Sequence, residues 1–160
     1  MTDLFTWKLL LKIIFAFFSS LGFAIVLRVA PRHIVVGSVG GALTYLIYYC
    51  IMFAGLGYFA AGFISTAFMA LYSEILARVK RAPAIVFLLP GVIPTVPGGD
   101  LYRGMRDLIS GSVDTALVNF ATALNIALGI AGGIIVVSIT YGIANDKIKE
   151  FKKKRAESKQ

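Results

Sequence analysis

Few residues in this chain can do chemistry, and their spacing excludes most catalytic arrangements. There is one histidine, His33, beside Arg32. A zinc site with two imidazoles cannot be built from it within one chain, so it reads as an interfacial residue. The one cysteine, Cys50, lies in an apolar run and has no internal partner for a bridge. No G-x-S-x-G elbow is present to carry a serine nucleophile. Glu74 has Arg78 four residues on, the spacing of a local helical ion pair. Its sharper role is a proton-coupling carboxylate at a membrane edge. Asp100, Asp107 and Asp114 recur at intervals of seven, but Arg103 and Arg106 stand among them, as on a solvated helix face. Asn119, Thr122 and Asn125 follow one another a turn apart in an otherwise apolar stretch. Polar groups in lipid are costly unless paired or wet, so this stripe serves a substrate or glues helices. No enzyme activity, metal or cofactor is expected.

The remaining candidate is a broken backbone. Residues 82–99 are free of charge but hold Pro83, Pro90, Pro94 and Pro97, with Gly91, Gly98 and Gly99. Each interior proline removes a helix hydrogen bond and clashes with the preceding turn. Interrupted helices present N–H and C=O groups that can receive a carboxylate or an ammonium, a recurring device in transporters. Pro94, Pro97 and Gly98 are the expected break, and Asn119 and Asn125 the expected polar wall. Gly98-Gly99-Asp100 resembles part of the G-x-G-D of intramembrane aspartyl proteases, but proline occupies position 97. No second aspartate lies deep in another span, and that chemistry needs two carboxylates sharing a proton.

These residues must be held by elements that composition identifies. The chain has 160 residues, of which 58% are hydrophobic and 15% charged. Soluble domains carry about 25% charged residues. The apolar excess therefore faces lipid. The formal charge of +8 does not argue for nucleic acid, because it is concentrated: residues 146–160 hold seven Lys or Arg against three acids, directly after an apolar run. That is the pattern of a cytoplasmic juxtamembrane flank.

A spanning helix needs about 20 mainly apolar residues. The expected spans are about 4–29, 33–54, 56–79, 83–110 (broken) and 114–144, with 146–160 a basic cytoplasmic tail. His33 to Ser73 is 41 residues without a charge, too long for one span, and should fold back near Gly55-Leu56-Gly57. After the break, Leu101, Met105, Leu108 and Ile109 share one helical face, and Asp100 is the expected N-cap. The 31 charge-free residues from Thr115 to Asn145 should tilt, overrun the bilayer, or bend at Gly129 or Gly132-Gly133. Gly37-x-x-x-Gly41 and Gly129-x-x-x-Gly133 are candidate close-packing pairs. Five crossings with the tail inside place twelve basic residues inside and four outside (Lys8, Lys12, Arg103, Arg106). Four crossings give nine against seven, so five are preferred. The expected fold is all-α, a polytopic bundle of about five spans.

Pro83, the string Ile93-Pro94-Thr95-Val96-Pro97-Gly98, and then Tyr102 and Met105 resemble the signature of the threonine/serine exporter family. The similarity is to that family's C-terminal half, which also occurs as a separate small subunit. The hydrophobic layout is similar over nearly the whole chain, the motif itself only over 83–105. Gly99-Asp100 and Pro90-Gly91 are departures. The resemblance implies a prokaryotic inner- or plasma-membrane exporter of small hydrophilic metabolites, threonine- and serine-like amino acids or dicarboxylates. It also implies a larger membrane subunit resembling the family's N-terminal half, with self-association open beside it. On this basis Pro94, Pro97, Gly98, Tyr102, Asn119 and Asn125 are the expected substrate-binding residues and Glu74 the coupling residue. The alternative is a membrane scaffold that assembles a transporter without transporting.

Overall fold

A computed structural model describes residues 2–157, with side chains for Trp7–Asn145 and Lys147. Among the described residues all regular structure is helical. Helix α1 spans Thr2–Val26, α2 Pro31–Phe53, α3 Tyr58–Lys80, α4 Ile85–Val92, α5 Gly98–Ile109 and α6 Val113–Glu157, with a 3₁₀ turn at Ile93–Thr95 between α4 and α5.

The boundaries follow from local chemistry. Pro31 occupies the first turn of α2, where its missing N–H costs nothing. The predicted fold-back is present: α2 ends at Phe53 and α3 begins at Tyr58, and Gly55 and Gly57 take φ of 75° and 86°, values that favour glycine. Helix α3 closes on Arg81 in the left-handed region, with Ala82 N–H donating to Ala77 C=O. Helix α5 ends in a Schellman pair, Ser112 N–H to Asp107 C=O and Gly111 N–H to Leu108 C=O.

Four helices are long and apolar enough to cross a membrane: Trp7–Val26, Pro31–Phe53, Tyr58–Lys80 and Val113–Asn145. A fifth crossing forms if α4 and α5, bent by 45° at the break, are taken as one. The α3–α6 interface bears on this count. Gly62 meets the backbone of Ile126 and Ile130, Gly133 meets Phe63 and Thr66, and Tyr141 reaches Glu74. Residue numbers rise together along both helices, so they run parallel. The chain between them must pass from one end of the bundle to the other, and α4 with α5 makes that passage. Helix α6 is not interrupted at its glycines, and it overruns. With Gly62 level with Ile126 and Ile130, the start of α3 lies about a dozen residues into α6, an overhang of about 20 Å at 1.5 Å per residue. Helix α5 packs on this overhang, with Gly104 against the Phe120 ring.

The burial pattern is inverted relative to a soluble domain. The interior is rich in hydroxyls: Ser20, Ser38, Thr44, Ser65, Thr66, Ser73 and Thr95 are buried. Most of them donate to a carbonyl three or four residues earlier, which satisfies the polar group inside its own helix. Large apolar side chains such as Phe15, Phe53, Val79 and Val118 point outward. In lipid nothing drives apolar residues inward, and close helix approach through small residues becomes the main packing device. The predicted pair Gly129 and Gly133 serves it, and of the pair on α2 only Gly41 does. Gly41 on α2 admits Ser20 of α1 and the Gly91 backbone of α4, while Gly37 faces Phe87 and Pro90 at ordinary contact distance; Gly129 and Gly133 on α6 admit α3. A compact apolar centre of Met69, Phe87 and Val92 ties α3 to α4.

Candidate functional site

The broken segment lies inside the bundle. Helix α4 and the 3₁₀ turn are packed among α1, α2 and α3, and Phe87, Pro90, Gly91, Val92 and Thr95 are buried. Gly91 lets the Met69 side chain pass where any Cβ would collide with it. Pro94 has no N–H to give to the Pro90 carbonyl four residues back. The Ser20 hydroxyl of α1 donates to that carbonyl instead. Thr95 Oγ1 donates to Val92 C=O at 2.7 Å, while Val96 N–H turns to Ile93 C=O. The carbonyls at Pro90 and Val92 are thus satisfied from within the bundle and are not free for a ligand. Pro97 is the N-cap of α5 and Asp100 lies inside the first turn, so the expected Asp100 cap is corrected. Proline at 97 ends the preceding run, and the Asp100 carboxylate is engaged by Arg103 at 2.7 Å. Gly98 and Gly99 are exposed, and no side-chain cap covers the α5 N-terminus.

Beside the break, Pro94 lines an open surface cavity of about 250 Å³ with Lys12, Phe15, Ala16, Ser19 and Tyr45, of which Lys12, Phe15 and Ser19 are exposed. The Lys12 ammonium sits 5.0 Å from the Tyr49 ring centroid. An ammonium, two hydroxyls and an apolar floor can hold a small polar molecule by its carboxylate and its own hydroxyl or amine. Lys12, Ser19 and Tyr45 were not among the residues singled out from sequence. Lys12 counts there only among the four basic residues outside, and only the register of α1 against α2 places it by Pro94. The hydroxyl pair Ser19-Ser20 in the middle of an apolar helix was the available signal.

The other candidate residues lie elsewhere. Tyr102 is 69% exposed on α5. Asn119 Nδ2 donates to Asp107 Oδ2 at 2.9 Å, joining α6 to α5. Both line a separate open cleft with Asp114, Thr115 and Val118. Asn125 is exposed and donates to Ala121 C=O of its own helix. Glu74 is half-buried near the end of α3, and among the described residues its carboxylate makes no ion pair. Arg78 lies instead over the Tyr141 ring, 4.5 Å from its centroid. The apolar face of α5 is not covered by this chain: Met105 and Ile109 are 54% and 83% exposed.

A family model described as "Threonine/Serine exporter, ThrE" matches residues 12–140. A threonine/serine exporter of Corynebacterium glutamicum is 27% identical over 89 residues, which cover 56% of this chain and 18% of that protein. The chain therefore matches less than a fifth of that relative's length. No solved structure matches it.

Proposed function

Since this chain belongs to the threonine/serine exporter family, we propose that it is the small subunit of a secondary exporter whose substrate contacts the Pro94 cavity. The substrate class is a small hydrophilic metabolite, a threonine- or serine-like amino acid or a dicarboxylate. The observation that carries this reading is the cavity itself. A proline-interrupted segment packed among three helices borders a small open cavity lined by Lys12, Ser19 and Tyr45. Lys12 would receive a carboxylate, and Ser19 and Tyr45 a hydroxyl or ammonium. A larger partner resembling the family's N-terminal half would complete the machine. Its contact surface includes the exposed apolar face of α5 and the polar stripe of Asn119 and Asn125. Pro97, Gly98 and Tyr102 would then border the path between the cavity and the partner. Glu74 is the coupling carboxylate, half-buried and without a fixed cation. The protein resides in a prokaryotic cytoplasmic membrane with Lys147 and the basic end of α6 inside.

The test is efflux of threonine, serine and succinate from cells carrying this chain alone, the larger subunit alone, or both. Efflux is expected only with both. Lys12→Met should lower efflux at least tenfold with the assembled complex intact, and Glu74→Gln should remove its dependence on the proton gradient. If Lys12→Met and Pro97→Ala leave efflux unchanged while Asn125→Ala or Met105→Asp prevents assembly, the chain is a scaffold and the transport site lies in its partner.

A further inference from the structure

The end of the bundle formed by the α1–α2 and α3–α4 turns carries a second, larger cleft that the transport reading does not use. It measures about 400 Å³ and is lined by Arg28, Arg32 and Arg81, by His33, and by apolar side chains from both turns. No acidic residue lines it. Arg28 and Arg81 make no ion pair among the described residues. Two helices begin beside it, α2 at Pro31 and α4 at Ile85, and neither has a side-chain cap. Their positive dipole ends add to the three guanidinium charges.

His33 supplies an independent signal. It is 4% exposed, and its Nε2 accepts a hydrogen bond from Arg32 Nε at 3.1 Å. A ring that accepts at Nε2 carries its proton on Nδ1. That Nδ1 is buried and has no partner, the one such side-chain atom among the described residues. His33 lines the cleft, and buried donors are almost always satisfied, so an orphan beside three guanidinium groups with no acid among them points to an acceptor that belongs there. The walls identify its class further. Leu27, Ile85 and Leu89 line the same cleft and are about half exposed, 45%, 51% and 47%. They offer an apolar surface directly beside the arginines. Both turns lie at the ends of spanning helices, the level of lipid headgroups.

We propose that this cleft binds a phosphate group, held by Arg28, Arg32 and Arg81 over the His33 ring, and that the apolar walls favour an acidic phospholipid as its source. Planar guanidinium forks suit phosphate oxygens better than a point charge would. A free phosphate would use the arginines and leave the apolar walls unused.

The test is native mass spectrometry of the purified full chain in detergent, titrated separately with phosphatidylglycerol, phosphatidylcholine and inorganic phosphate. Phosphatidylglycerol is expected to bind at least tenfold more tightly than phosphatidylcholine. The Arg28→Gln/Arg81→Gln pair should weaken it by about tenfold or more, the scale of one lost charge-assisted bond. Arg32→Gln gives the same reading should the pair fail to fold. Arg78→Gln removes one charge at the same end but outside the cleft, and should change binding less than twofold. If inorganic phosphate binds with the same arginine dependence and acyl chains add nothing, the phosphate site stands with a free anion as its ligand. Equal binding of the two lipids, indifference to the arginine variants, or an equal loss in Arg78→Gln overturns the proposal.

Discussion

Replacing Ser20 by alanine tests the account of the break directly. The Ser20 hydroxyl donates to Pro90 C=O, which Pro94 deprives of its usual helical donor. Both partners are buried. Ser20→Ala leaves that carbonyl unpaired, a loss of about 1–3 kcal/mol for a buried group in general. Interhelical polar contacts in membranes measure lower, near 0.6 kcal/mol on average, so about 1 kcal/mol is the working figure. The informative experiment is a double-mutant cycle with Pro94→Ala. Alanine at 94 brings back an N–H that can reach Pro90 C=O, so Ser20→Ala should then cost almost nothing. The cycle should show a coupling of about 1 kcal/mol, readable in reversible unfolding by sodium dodecyl sulfate in mixed micelles, followed by circular dichroism. Additivity within about 0.3 kcal/mol would refute the claim that this hydroxyl replaces the missing amide. A third variant, Gly41→Ala, approaches the same bond from α2. Its Cβ would press on the Ser20 hydroxyl, and it should lose similar stability with Ser20 still present.

Further outcomes follow from the packing and the topology. Gly133→Ala should cost about 1–3 kcal/mol, the usual range for overpacking, because its Cβ meets the Phe63 carbonyl and Thr66 Oγ1. Gly22→Ala, where a Cβ meets nothing within 4 Å, should be neutral or stabilise the helix in the same unfolding assay. Asn119→Leu removes the bond to Asp107 and should cost about 1 kcal/mol, seen as faster amide exchange in α5 with α1–α3 unaffected. Cysteines introduced at Thr2 and Lys147 should react with a membrane-impermeant maleimide from opposite sides. Reaction from one side would contradict the single passage made by α4 and α5.

The spanning helices were legible because lipid imposes a simple rule. Charge-free length converts to crossings, and Gly55-Leu56-Gly57 lies near the middle of 41 uncharged residues, where two spans of equal length would meet. Pro94 and Pro97 likewise announce a break, since a missing N–H is a property of the residue alone. Where a side chain goes in three dimensions was less legible. Asn119 and Asp107 are twelve residues apart on different helices, and no local pattern pairs them. Glu74 and Arg78 have the spacing of an ion pair, yet Tyr141 takes the guanidinium because α6 runs parallel beside α3. Lys12 enters the candidate site by the same kind of tertiary register. The expected substrate residues are consequently divided among the Pro94 cavity, the exposed face of α5 and the overhanging part of α6.

The unbroken length of α6 has a mechanical meaning. At Gly129 it touches α3 backbone to backbone, and at Gly133 it meets the Phe63 carbonyl and the Thr66 hydroxyl. That contact lies within a seam that continues to Tyr141, on one continuous helix of 45 residues. One arm carries α5 and Asn119, and the other runs past Tyr141 towards the basic end. At about 1.5 Å per residue the arm from Gly129 back to Val113 is about 24 Å long, so a tilt of about 10° swings its tip by about 4 Å. One continuous helix thus joins the α5 end of the bundle to the Glu74 end.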